Sequence, residues 1–134
     1  MLESRVVSIP IDRPLAEAYD FMSEPRNVAA WATVPVVSFR HVRDLEYAVD
    51  LPEGPAVMRF TPRNDYGVLD CSVTPVGSAV TRYVPARVFA NGAGCELQLV
   101  MLRQQEMSAE AFASEQEWIT ADLLVLKSLL ELSR

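Results

Sequence analysis

Cysteine, histidine and clustered positive charge are all scarce in this chain. Its 134 residues include two cysteines and one histidine. Cys71 and Cys95 are too few for a disulfide framework, so the fold must rest on an apolar core. With a lone histidine, no Cys-Xaa-Xaa-Cys and no His-Xaa-Glu, there is no pattern for a zinc or iron site, and no cofactor is expected. A phosphate-binding loop ending in Gly-Lys-Ser/Thr is missing, and Asn91-Gly92-Ala93-Gly94 reads as a hairpin turn, not a dinucleotide loop. A formal charge of −6 argues against a nucleic-acid partner, which would need clustered Lys and Arg, and disfavours an anionic membrane. Long uninterrupted apolar runs are lacking too. Glu3 stands among the first residues, where a secretory signal would be apolar, and Asp122, Lys127 and Glu131 break the most apolar tract. The expectation is a cytoplasmic protein.

Apolar residues are plentiful, at half of the chain, with no low-complexity segment, repeat or dividing linker. A single domain over 1–134 is expected. Its organising stretch is Ser108–Leu132. Phe112, Ile119, Leu123, Leu126 and Leu130 recur at helical spacing, and Gln116 fills the one polar gap. Ser108 is placed to cap this helix, and Glu110 sits where the positive end of its dipole favours an acid. So long and apolar a helix needs a broad partner surface, and the upstream sequence offers one.

Ser4–Ile11 alternates as a first strand. Asp12-Arg13-Pro14 then starts a short helix whose buried face is Leu15, Ala18, Phe21 and Met22, and Pro25 starts a second short helix through Trp31. From Val36 the chain reads as an antiparallel meander. Its strands are Val36–Val42, Glu46–Leu51, Ala56–Thr61, Gly67–Thr74, Val80–Ala90 and Cys95–Arg103.

Centring each turn gives a register. Ala90 then opposes Cys95, Val88 opposes Leu97 and Ala86 opposes Leu99. In the next hairpin Val84 opposes Cys71 and Ala86 opposes Leu69. Across Arg63-Asn64, Met58 opposes Leu69 and Ala56 opposes Cys71. One face thereby gathers Ala56, Met58, Phe60, Leu69, Cys71, Val73, Val84, Ala86, Val88, Leu97, Leu99 and Met101. The other gathers Arg59, Asp70, Arg87 and Glu96, for which ion pairs on a wet sheet face are the plain explanation.

The segment IPIDRPLAEAYDFMSEPRNVAAWA, with its Pro25, Asn27 and Trp31, resembles the opening of the SRPBCC superfamily of START-like, polyketide cyclase/dehydrase-like and birch-allergen-like proteins. RFTPRNDYGVLDCSVTP, VPARVFANGAGCE and the closing DLLVLKSLLE resemble an uncharacterised bacterial branch of it. The resemblance implies an α+β helix-grip fold: a seven-stranded antiparallel sheet curved around the C-terminal helix, with two short helices after the first strand. It also implies a cavity between sheet and helix for a small hydrophobic ligand, in a monomer or homodimer. The superfamily hosts carriers, cyclases, dehydratases and chaperone-ATPase activators, so the fold alone does not choose among binding, catalysis and protein interaction.

Several residues are candidates for that cavity. Phe21, Phe39, Tyr47, Met58, Phe60, Met101, Phe112 and Ile119 fall on predicted inward positions, joined by Trp31, Cys71, Val84, Leu99 and Leu123. They line a pocket or simply fill a core. His41, opposite Tyr47 across a three-residue loop Arg43–Leu45, offers a general base beside a hydrogen-bond donor; a strand histidine without a catalytic role is the plainer reading. Arg82 and Arg103 sit at strand ends, where a guanidinium could meet a ligand carboxylate at the mouth or simply be solvated. Gln116 faces the same choice. Cys71, without a nearby cation, reads as a small buried hydrophobe, and no disulfide to Cys95 is expected.

Overall fold

Alternation decides where the first strand goes. β1 (Ser4–Ile11) buries Val7, Ile9 and Ile11 and leaves the residues between them exposed. The computed structural model describes residues 1–33 and 38–132. After β1 come α1 (Leu15–Met22) and a 3-10 helix (Pro25–Ala30), whose start Glu24 caps by accepting the Arg26 N–H. Ala18, Tyr19 and Met22 form the buried face of α1, while Leu15 and Phe21 are half-buried.

The strands that follow are β2 (Arg40–Arg43), β3 (Glu46–Leu51), β4 (Gly54–Phe60), β5 (Cys71–Pro75), β6 (Arg82–Val84), β7 (Ala86–Asn91) and β8 (Gly94–Leu102). All neighbours are antiparallel. One sheet has the order β1-β8-β7 and the other β2-β3-β4-β5-β6. Part of the first meander strand expected from the sequence, residues 36 and 37, lies outside the described residues.

Eight strands stand where seven were expected, and proline is the reason. Cys71 pairs with Val84, Val68 bridges Arg87, the Leu69 N–H donates to Ala86 O and the Val88 N–H to Gly67 O. These contacts share one register, so residues 67–75 and 82–91 form a single long hairpin. Pro85 has no N–H for the ladder, and the Asp70 carboxylate takes the Ala86 N–H at 2.8 Å instead of a backbone carbonyl. The interruption divides the hairpin between the two sheets.

Two of the three trial registers are met: Val84 opposite Cys71, and Val88 opposite Leu97 with Ala86 opposite Leu99. The third is displaced. Met58 faces Val73 and Phe60 faces Cys71, four residues from the centred-turn expectation. Residues 61–70 make a broad loop, not a tight turn. The Asn64 side chain holds it, donating to Pro62 O and Val68 O and accepting from the Tyr66 and Val68 N–H groups. Because the shift is even, inward residues stay inward.

The outer-face ion pairs are also corrected. Arg59 pairs with Glu46 across β3–β4, Arg87 donates to Tyr66 O, and Glu96 accepts from Asn91 and Gln98.

α2 (Ala109–Leu132) lies against this framework. Ser108 Oγ accepts the Ala111 N–H at 3.0 Å, and Phe112, Leu123, Leu126 and Leu130 are buried. Arg13 donates to the carbonyls of Leu130 and Glu131 (both 2.9 Å), and Lys127 donates to Pro10 O (2.7 Å). The end of the helix is thus fastened to the β1–α1 connection, satisfying carbonyls that a helix terminus leaves open. No helix among the described residues is long and apolar enough to cross a membrane.

Candidate functional site

Strand alternation sends one set of side chains toward α2, and where those side chains are short or diverge they leave a cavity of about 230 Å³. Met58 and Phe60 of β4, Cys71 and Val73 of β5, Val84, Ala86, Leu97 and Leu99 form its sheet side. Ile119 and Leu123 of α2 cover it, and Met22 and Val28 of the short helices, with Trp31 and Ala32 just after them, close it. The wall is therefore almost entirely carbon.

Its polar groups are few: Ser23, Thr61 and Asp122, with the indole of Trp31. Asp122 accepts from Thr33 twice, at 2.6 Å from the hydroxyl and 3.1 Å from the backbone N–H. That pair of hydrogen bonds ties the chain after the 3-10 helix to α2 at the cavity wall. Trp31 Nε1 is buried and has no acceptor among the described residues, a costly state for an N–H donor. Arg, Lys and His are missing from the described lining, so the one formal charge there is negative. Burial pushes the Cys71 thiol up to about 11, with the neighbouring Asp70 charge adding to the effect. Such a thiol is neutral at physiological pH and a poor nucleophile.

Beside Ser23 and Thr61, the 61–70 loop is latched to α1. Arg63 pairs with Asp20, donates to Ser23 Oγ at 2.8 Å and lies over the Tyr19 ring. The Tyr19 hydroxyl accepts the Asn64 N–H at 2.8 Å. Asp20 raises the Arg63 pKa further, chiefly through the hydrogen bond it accepts from the guanidinium.

Of the residues singled out in the sequence, Trp31, Met58, Phe60, Cys71, Val84, Leu99, Ile119 and Leu123 are brought together on the cavity wall. Others are placed elsewhere. Phe39 stacks on Tyr47 (4.9 Å between centroids), which meets Phe60 edge-on, so the Phe39 and Tyr47 rings pack behind Phe60 instead of lining the cavity. His41 does oppose Tyr47, but on an exposed four-residue edge strand, with Nε2 2.9 Å from Asp44 O. The turn there is Asp44-Leu45 with a register shift after His41, not a three-residue loop. Met101 and Phe112 are core residues, and Phe21 is half-buried against the core.

The polar candidates at the strand ends are absorbed by internal partners. Arg82 bonds Glu115 at 2.7 Å and approaches Glu53 at 3.8 Å. Arg103 donates to Met107 O and pairs with Glu3. Gln116 accepts from Arg5 at 2.9 Å, and Arg5 in turn lies over the Phe112 ring. Asp122 is the residue that sequence reading passed over. It follows Ile119 by three positions, which puts it on the cavity side, but an acid within an apolar tract looks like a solvent-facing break.

No protein-family model matches the chain, and no curated protein matches it by sequence. Solved structures do. The chain is similar to the protein XoxI from Bacillus cereus, with a TM-score of 0.76 and 14% identity over 96% of each chain. It is similar to the Aha1 dimer from Colwellia psychrerythraea, at 0.73 and 10% identity over 98% of each. Ara h 8.0201 matches at 0.68 and 6% identity, over 97% of this chain and 98% of that one. At such identities the likeness is one of fold, and it agrees with a helix-grip architecture.

Proposed function

We propose that the protein binds a small, uncharged, ring-containing molecule between its sheet and α2. The cavity is the observation that carries this reading. An engineered apolar cavity of about 150 Å³ accommodates benzene, so by simple scaling about 230 Å³ suits roughly nine or ten non-hydrogen atoms. That is one substituted ring or a fused pair. Long acyl chains are too large.

The chemistry of the wall narrows the class. A carbon surface favours apolar bodies, and the Asp122 carboxylate repels anions while welcoming a hydroxyl or amine donor. An acceptor on the ligand would satisfy the Trp31 indole N–H. A phenol-like molecule meets both demands and an aryl carboxylate does not. The two free cysteines suit a reducing compartment, in keeping with a cytoplasmic carrier or sensor.

Trp31 supplies the assay. In a Trp118→Phe background it is the remaining tryptophan, and titration with 2-naphthol should change its fluorescence saturably. 2-Naphthoate should bind at least tenfold more weakly, and Val84→Phe, which projects a ring into the cavity, should abolish the response. Equal binding of both probes would overturn the charge argument. Unchanged affinity in Val84→Phe would overturn the site.

A further inference from the structure

We infer that the outward face of α2, from Trp118 to Leu132, pairs antiparallel with the same face of a second copy of this chain. The face is apolar over four turns. Trp118 is 57% exposed, Leu124 54%, Val125 45% and Leu132 81%, and Leu129 is exposed beside them. Every exposed residue of this stretch is uncharged, the others being Thr120, Ala121 and Ser128. Its three charged residues are half-buried and turned to internal partners: Asp122 to Thr33, Lys127 to Pro10 and Glu131, and Glu131 to Asp12. In a chain of net charge −6, an uncharged patch this long lets two copies meet without repulsion.

Spacing makes the face complementary to itself. A two-fold axis beside Val125 sets Val125 against its own copy, Trp118 level with Leu132 and the small Ala121 level with Leu129. Each residue thus meets the same counterpart from both sides, the isologous pattern of two-fold dimers, with Ala121 leaving room for Leu129, and antiparallel dipoles add to it. The exposed surface of these five apolar residues is roughly 600 Å² per copy, near the lower limit of what each partner buries in a specific interface. The dimer is accordingly weak and concentration-dependent. A lipid surface fits less well, because among its described residues the patch carries no exposed Lys or Arg to meet headgroups.

Sedimentation equilibrium from low-micromolar to submillimolar protein tests this, and needs no ligand. The wild-type mass should rise toward twice the monomer mass, and Val125→Glu, which sets two carboxylates against each other, should hold it at the monomer. Val125 is exposed, so the variant keeps its fold, checked by an unchanged melting temperature at low concentration. Val125→Cys should crosslink to itself under mild oxidant, whereas Thr120→Cys should not. A wild-type protein that stays monomeric throughout, a Val125→Glu variant that dimerises as well as wild type, or flotation with phosphatidylcholine vesicles would overturn the proposal.

Discussion

Gly67 has little freedom to change. Its φ of +68° is left-handed, and a Cβ there would stand 2.0 Å from Val88 O, where the long hairpin closes on itself. Gly67→Ala should therefore cost about 3 kcal/mol in urea unfolding, the sum of backbone strain and a displaced strand. Cys71 makes the opposite kind of claim. With its thiol held up to about 11, iodoacetamide at pH 8 should leave it unmodified in the folded protein and react on denaturation, as mass spectrometry would show. Sequence reading found Cys71 because an apolar setting without a cation is visible in the residues beside it. It passed over Asp122 because the Thr33 partner is 89 positions away, and nothing local marks that acid as turned inward.

Among the elements, α2 is fastened at its junction with the end of β1, where Glu131 and Lys127 meet Asp12 and Pro10. Glu131 is held below the usual carboxylate range, first by its hydrogen bond from Lys127 and then by the Asp12 N–H. A carboxylate depressed in the folded state adds stability above its ordinary pKa, and that stability drains away as pH falls through the depressed value. Glu131→Gln should lower the melting temperature at neutral pH, and the two melting curves should converge below the ordinary glutamate range. The helix was legible because Phe112, Leu123, Leu126 and Leu130 repeat at 3.6-residue spacing, and Ser108 caps as its position implies. Hairpins with short turns were legible for a similar reason, since turn chemistry fixes register. The β4–β5 pairing was not. Its loop is shaped by the Asn64 side chain reaching four residues ahead, and the strand break comes from Pro85 lacking a donor. Both effects depend on partners that alternation does not reveal.

Over the whole molecule, the sheet and α2 are joined at their ends and held apart between them. Arg13 and Lys127 fasten one end, Arg82 and Glu115 tie β6 to the helix, and Thr33 and Asp122 tie the chain after the 3-10 helix. That span was foreseeable from the fold, whereas its volume depends on the particular sizes of Ala86, Val73 and Val84. If Val84→Phe fills it without strain, thermal denaturation should show a gain of about 1–2 kcal/mol together with the loss of naphthol binding.

The space under α2 also sets a thermodynamic debt. At about 24 cal/mol per Å³, a hollow of this size forfeits on the order of 5 kcal/mol that closer packing would supply. A guest that fits would recover part of it, so heat tolerance becomes a gauge of occupancy: the same polypeptide, with such a guest bound, should outlast its unladen twin in a warm cell.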